Sequence, residues 1–376
     1  MKKVIALGIG FVVLVVVAAC STEAPTPVIV EVPGDTVEVP GETVIVEVPG
    51  ETVIVEVPGE TVIVEVPGET VIVEVSPVAF APVSPECVAP SGAGGGWDFT
   101  CRTIGRLFEQ QGSTGNVVTI NQPGGGGGVA FADIAANRFD DDNLVIAASP
   151  ATAIRFAQNR YTGLKATEFR WIGAIGADFG VVAVRTDSRF TTFDQLVDAV
   201  KADPGSVVFG GGSPPGGQDH FKVLLLAVEL GVDPANIPWV AYDGGGEAQN
   251  ALLGGEIEVF TGDVSETFGN TNLRILAVMA KDRIEGMDAP TTVELGYTTI
   301  FPIWRGLLAP GRMSDRAYDF WVGALGQVEA SDEWAVERAG NGLSPLRLLG
   351  DDFQAFALDA VASFRILSEP FGLIAQ

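Results

Sequence analysis

The order of apolar and polar residues divides the chain into an apolar leader, a regular repeat and a long stretch where short β-branched runs alternate with helical ones. In that long stretch, Val117-Val118-Thr119-Ile120 predicts a buried strand, and the alanine-rich segment from Val129 to Asn137 predicts a helix. The succession recurs. Cys87-Val88-Ala89 precedes a helical stretch from Phe99 to Gln111, Val207-Val208-Phe209 precedes Asp219 to Leu230, and Trp239-Val240 precedes Glu247 to Leu253. A weaker instance joins Leu144-Val145-Ile146 to Ala148-Ser149-Pro150. Strands alternating with helices predict an α/β architecture.

Glycines fill the gap between strand and helix in four of these units. They are Gly124, Gly125, Gly126, Gly127 and Gly128; Gly92 with Gly94, Gly95 and Gly96 before Trp97-Asp98; Gly210-Gly211-Gly212-Ser213 through Gly216-Gly217; and Gly244, Gly245 and Gly246 after Tyr242-Asp243. Glycine lets the backbone adopt positive φ and approach a ligand with no Cβ in the way. The unpaired N–H groups of the following helix then face the gap, where the helix dipole also favours negative charge. One such loop is as well read as a tight turn. Four on a strand–helix pattern predict an anion cradle at the carboxyl ends of the strands.

Upstream, Met1-Lys2-Lys3 and the apolar run from Val4 to Val17 form a secretory signal too short to span a bilayer comfortably. Val17-Ala18-Ala19-Cys20 resembles a bacterial lipobox, which makes Cys20 the lipidated N-terminus of an extracytoplasmic protein anchored to the membrane. From residue 21 to residue 85 a nine-residue unit, Glu-Val-Pro-Gly-Glu-Thr-Val-Ile-Val, runs four times between Glu38 and Val73. It has no aromatic residue to seed a core before Phe80, and Pro-Gly recurs as a break. The favoured reading is an extended tether, with a small stack of hairpins as its rival.

Charge narrows the partners. The chain carries 22 basic and 48 acidic residues; removing the leader's two lysines and the repeat's twelve acids leaves 20 basic and 36 acidic in residues 86–376. Such a surface argues against nucleic acid or anionic lipid, so an anion must be captured by local dipoles. The single histidine, His220, and the absence of clustered Cys or carboxylate ligands give a metal or other cofactor no support. Cys87 and Cys101 flank the first glycine loop and either close a disulfide or remain buried thiols. Ser213 and His220 share one loop, but no Gly-x-Ser-x-Gly elbow surrounds the serine. Two hydrogen-bonding ligand contacts, or a histidine at a helix start, read them more simply. Asp178 and Asp263 stand isolated, each able to cap a turn or touch a ligand.

These motifs together resemble the solute-binding receptors of the tripartite tricarboxylate transporter family, closest to the tricarboxylate branch. The resemblance runs from Ala89-Pro90 through Trp97-Asp98 and Thr100-Cys101-Arg102, then Pro123-Gly124 through Ala132, Ser149-Pro150-Ala151-Thr152 and Gly176-Ala177-Asp178-Phe179-Gly180. It continues through Gly210 to Ser213, Gly216-Gly217-Gln218-Asp219-His220, Asp243 to Ala248, Leu252 to Gly255 and Gly262-Asp263-Val264-Ser265-Glu266, ending with Pro290 to Tyr297 and Trp304-Arg305-Gly306. Tyr242-Asp243-Gly244 departs from the family's usual Tyr-Lys-Gly, and the nine-residue repeat lies outside its pattern.

The resemblance implies a two-lobed, type II periplasmic-binding-protein-like fold with a central cleft: residues 86–185 plus 304–376 in one lobe, 186–303 in the other, with crossovers near Val181–Arg185 and Phe301–Trp304. It implies a monomer, not an enzyme, that takes a citrate-like di- or tricarboxylate to membrane permease subunits. The ligand contacts it implies are Gly94 to Asp98, Gly124 to Gly128, Ser149, Thr152, Asp178, Gly212, Ser213, Asp219, His220, Asp243, Gly244, Gly245 and Asp263, with Arg305 holding a carboxylate and Arg102 a lesser candidate. A sensory receptor presenting a carboxylate to a histidine kinase shares the same cleft. A hydrolase built on Ser213 and His220 is the remote alternative.

Overall fold

The computed structural model describes residues 28–30, 43–46, 53–56, 62–66, 69–73 and 80–375. The leader, Cys20 and half of the repeat between Glu38 and Val73 lie outside the described residues. Between residues 21 and 85 the described β-branched segments are strands: β1 (Val28–Val30), β2 (Thr43–Val46), β3 (Val53–Glu56), β4 (Val62–Val66) and β5 (Glu69–Val73). β1 pairs parallel with β2, and β2–β3 and β4–β5 pair antiparallel.

From Phe80 onward the chain forms a separate compact unit. Its first half is β6 (Glu86–Ala89), α1 (Gly96–Gln110), β7 (Val118–Asn121), α2 (Gly128–Asn137), β8 (Leu144–Ala148) and α3 (Pro150–Ala157). A 16-residue strand, β9 (Arg170–Arg185), leads into α4 (Phe193–Ala202), β10 (Phe209–Gly211), α5 (Gln218–Leu230), β11 (Trp239–Ala241), α6 (Gly245–Gly254), β12 (Val259–Phe260), α7 (Val264–Thr267) and β13 (Leu273–Met279). The chain returns through β14 (Pro302–Ala309), α8 (Asp315–Glu329), α9 (Asp332–Gly340), β15 (Leu348–Leu349) and α10 (Gly350–Ser368).

Ten strands form one sheet in the order β11-β10-β12-β9-β14-β8-β6-β7, with β13 and β15 also paired to β9. The pairs β6–β7, β6–β8, β10–β11 and β10–β12 are parallel, so the intervening helices act as crossovers and the loops after these strands gather at their carboxyl ends. β9 makes the fold two-lobed. Up to Phe179 it pairs with β14, and from Gly180 onward with β13. The passage between lobes thus falls just ahead of Val181, and the return joins Phe301, whose N–H reaches the Met279 carbonyl, to Pro302 opposite Phe179.

Alternation of side chains across the strands builds a core on each face. Cys87 and Ala89 face a cluster with Ile104, Trp321 and Trp334, while Val88 faces Phe131, Trp171 and Phe353. In the other lobe Val182 and Val184 pack with Phe221 and Ile303, while Val181 and Ala183 pack with Leu252 and Phe260. α10 packs on α3 and β9, and Phe364 and Phe371 beyond it meet Phe221 of the second lobe.

Two elements differ from the sequence pattern. β7 is an edge strand with Val118 46% exposed, not a buried one, because among the described residues no strand pairs with its outer side. β10 runs two residues into its glycines, because a Cβ at Gly210 would lie 2.8 Å from Ile257 Cδ1, so only glycine continues the strand there.

Candidate ligand cleft

Glycine loops from the two lobes meet backbone to backbone. The Gly92 N–H donates to the Asp243 carbonyl at 2.8 Å, and a Cβ at Gly246 would stand 2.8 Å from the Ala93 carbonyl oxygen. A Cβ at Gly212 would sit 2.5 Å from the Gly245 nitrogen. The closed arrangement therefore depends on the missing side chains. In the second loop Gly124, Gly125, Gly126 and Gly127 all have positive φ, a run that other residues adopt only under strain.

Beneath this contact lies a cavity lined from both lobes. Three long helices start at it: α1 behind Gly95, α5 behind Gly217 and α6 behind Gly244, each N-cap a glycine without a side-chain cap. Their first N–H groups and dipoles favour negative charge. α3 differs, since Ser149 caps it through the Ala151 N–H at 3.2 Å. Gln218 ties this helix to the other lobe: its Oε1 accepts from Ala151 N–H at 3.0 Å and Ser149 Oγ–H at 3.2 Å, and its Nε2 donates to Asp263 at 3.2 Å.

A chain of buried charges underlies the cavity. Lys222, fully buried, donates to Asp219 at 2.8 Å, to Asp263 at 2.7 Å and to the Gly262 carbonyl at 2.7 Å. Arg305 pairs with Asp178, with Asp263 at 2.7 Å and with the Ser265 hydroxyl at 2.9 Å. Burial pushes Asp178 and Asp219 above the ordinary carboxylate range. It pushes Asp263 the same way, but Lys222 and Arg305 outweigh it and hold that carboxyl low. Glu266 completes the group, accepting the Gly96 N–H at 2.9 Å and the Asp263 N–H at 3.1 Å. Burial, then the charges of Asp263 and Asp219, push Glu266 well up, against the pull of the Arg305 and Lys222 charges.

Arg155 has the opposite environment. It is 7% exposed and lines the cavity, donating to Gln158 Oε1 at 3.2 Å and the Gly125 carbonyl at 3.4 Å. Among the described residues no carboxylate pairs with it, and its Nε has no hydrogen-bond partner. Burial lowers its pKa from the ordinary arginine value. The indole Nε1 of Trp97, on the same cavity, is likewise buried without a partner.

The cavity brings together Gly95, Gly96, Trp97, Gly126, Ser149, Gly212, Ser213, Asp219, Gly244, Gly245, Asp263 and Arg305 of the sequence-derived contacts. Gly94, Asp98, Gly124, Gly125, Gly127, Gly128, Thr152, Asp178, His220 and Asp243 do not line it. Asp98 accepts the Gly94 N–H and pairs with Arg102, turning both side chains away from a ligand role. Thr152 completes the α3 capping box. His220 Nδ1 accepts the Gly216 N–H at 2.8 Å, and burial depresses its pKa to about 4, so it is neutral and fixed in its loop. Asp243 is exposed, contributing its carbonyl to the Gly92 contact. Arg305 lines the cavity, yet its Nε and Nη2 are committed to Asp178, Asp263 and Ser265, so its charge is already balanced. Cys87 and Cys101 are disulfide-bonded, with Cα atoms 5.5 Å apart.

Ser91, Ala151, Pro214, Gly217, Gln218 and Glu266 also line the cavity; all fall inside motifs read from the sequence, but their roles require the facing lobe. Arg155 had no such signal except position: it stands four residues after Ala151, on the same face of α3.

A two-lobed α/β fold closing on an anion-favouring cleft defines a periplasmic-type binding protein. The model of the tripartite tricarboxylate transporter family receptors matches residues 107–369, and the chain belongs to that family. It is 26% identical over 230 residues, 59% of this chain and 67% of the relative, to a UPF0065 protein in the tcbD-tcbE intergenic region of Pseudomonas sp. (strain P51). Two solved structures share the fold. Rpa4515 of R. palustris with adipate has a TM-score of 0.69 at 20% identity, covering 77% of this chain and 97% of that one. MatC (Rpa3494) of Rhodopseudomonas palustris with bound malate has a TM-score of 0.65 at 16% identity, covering 76% and 98%.

Proposed function

We propose that the chain is an extracytoplasmic solute-binding receptor, anchored through lipidated Cys20, that closes its two lobes on an organic carboxylate and delivers it as a monomer to membrane permease subunits. The repeat acts as the spacer between anchor and receptor. The observation that carries this reading is the convergence of three glycine-capped helix N-termini on one buried cavity, a geometry suited to a carboxylate. Adipate and malate in the two structural relatives support the same ligand class.

The citrate-like expectation asks the cleft to balance three charges. Arg305 and Lys222 are already paired, which leaves Arg155, among the described residues, as a cation on the cavity with no carboxylate partner and favours a ligand of lower charge. Catalysis by Ser213 has little support: its hydroxyl donates to Asp219 at 3.2 Å while His220 is turned to Gly216. The test is uptake of labelled carboxylates by cells with and without the encoding gene. Loss of uptake on deletion supports delivery to a permease; binding without any effect on uptake refutes it.

A further inference from the structure

Two residues that line the cavity carry buried donors with no hydrogen-bond partner among the described residues: Arg155 at Nε and Trp97 at Nε1. Both residues are more than nine-tenths buried, at 7% and 8% exposure. A buried donor left without an acceptor destabilises the fold, and more so where the group is charged. Arg155 carries a full charge with no carboxylate beside it among the described residues. A charged acceptor-only group, a carboxylate, answers both vacancies and takes the guanidinium in a charge-assisted contact.

Glu266 lines the same cavity and has the contrary character. Its oxygens accept backbone N–H groups at 2.9 and 3.1 Å, and the carboxylates of Asp263 and Asp219 act on it more strongly than the cations of Arg305 and Lys222. It also occupies the N–H of Gly96, one of the groups that a ligand anion would otherwise use. A second ligand carboxylate here meets the acceptor oxygens of Glu266 and the charges of the cavity-lining Asp219 and Asp263; a hydrogen-bond donor meets acceptor oxygens with lone pairs to spare.

We propose that Arg155 and Trp97 form the carboxylate receptor of the cleft, and that Glu266 selects ligands whose remaining polar group is a hydrogen-bond donor, a hydroxyl or an ammonium, over those with a second carboxylate. The proposal rests on the carboxylate-capture reading and narrows it. Arg155 replaces Arg305 as the ligand's cation, because the Arg305 charge is balanced within the protein.

The test is calorimetric titration of the full chain with two matched series. One is 4-aminobutyrate, 4-hydroxybutyrate and succinate; the other is 6-aminohexanoate, 6-hydroxyhexanoate and adipate. Within a series one end stays a carboxylate while the other changes, and the amino and hydroxy members distinguish the two donors. At least one donor-ended member binds wild type tenfold or more tighter than its dicarboxylate, Glu266→Gln removes that preference, and Arg155→Gln weakens every member at least tenfold. Trp97→Phe keeps the ring, deletes the N–H and lowers affinity severalfold, which decides the matter if Arg155→Gln does not fold. A dicarboxylate binding tightest, or variants that bind like wild type, overturns the proposal while leaving carboxylate capture standing. No binding of either series, with citrate or malate binding instead, does the same; no carboxylate binding at all removes both.

Discussion

The Glu266 carboxylate accepts the Gly96 N–H at 2.9 Å across 170 positions of sequence, and Arg305 lies against the same glycine. A Cβ at Gly96 would fall 2.0 Å from Arg305 Nη1, on a guanidinium held by two aspartates and unable to swing away. Gly96→Ala is therefore expected to cost about 1–3 kcal/mol by overpacking and to weaken ligand binding in step. Gly115→Ala, with nothing within 4 Å of the added carbon, is the control and stays within about 0.5 kcal/mol of wild type in denaturant melts.

The buried charges are sensitive to loss of one partner. Lys222→Met leaves Asp219 and Asp263 short of their shared cation, and a loss of about 3–5 kcal/mol is expected from urea unfolding. Arg102→Ala removes an ion pair whose arginine is 57% exposed, and the same measurement should register less than about 1 kcal/mol. Equal effects from the two substitutions would show that burial does not set their worth.

His220 gives the protein an acid-side pH dependence. Its pKa falls from 6.5 to about 4 on folding because burial disfavours the imidazolium. The folded state thus binds the proton more weakly than the unfolded state. This contribution is fully present above pH 6.5 and is lost as the pH falls toward 4, amounting to about 3 kcal/mol by linkage. His220→Gln should flatten the stability profile across that window. A profile as steep as that of wild type would mean that other groups cause it.

Cys87–Cys101 joins β6 to α1 around the first glycine loop, with a sequence separation of 14. Replacing both cysteines with alanine is expected to cost about 3 kcal/mol, since the closed loop restrains the unfolded chain. Thermal unfolding of the variant beside the oxidised wild type measures it.

Much of this architecture was legible in local pattern. α2 and α5 begin within one residue of the expected positions, because the apolar period and the glycine N-caps are local signals. The cleft's glycines were legible for the same reason. Charge pairing was not. Asp178 and Asp263 read as isolated carboxylates and Arg305 as the cation for a ligand carboxylate, although they meet in one buried group of residues far apart in sequence. Arg155 was missed because its significance lies in what it lacks, a carboxylate partner, and that requires the tertiary structure. The outer edge of β7 escaped too, since Val117-Val118-Thr119-Ile120 carries strand propensity whether or not a neighbour covers it.

The most direct test of the central claim is a calorimetric titration of the full chain with a panel of mono-, di- and tricarboxylates, with and without Mg²⁺, while monitoring for product. Carboxylate capture predicts saturable binding of at least one member at micromolar or lower concentration, with the ligand recovered unchanged. Absence of binding across the panel, or conversion of the ligand, would contradict it.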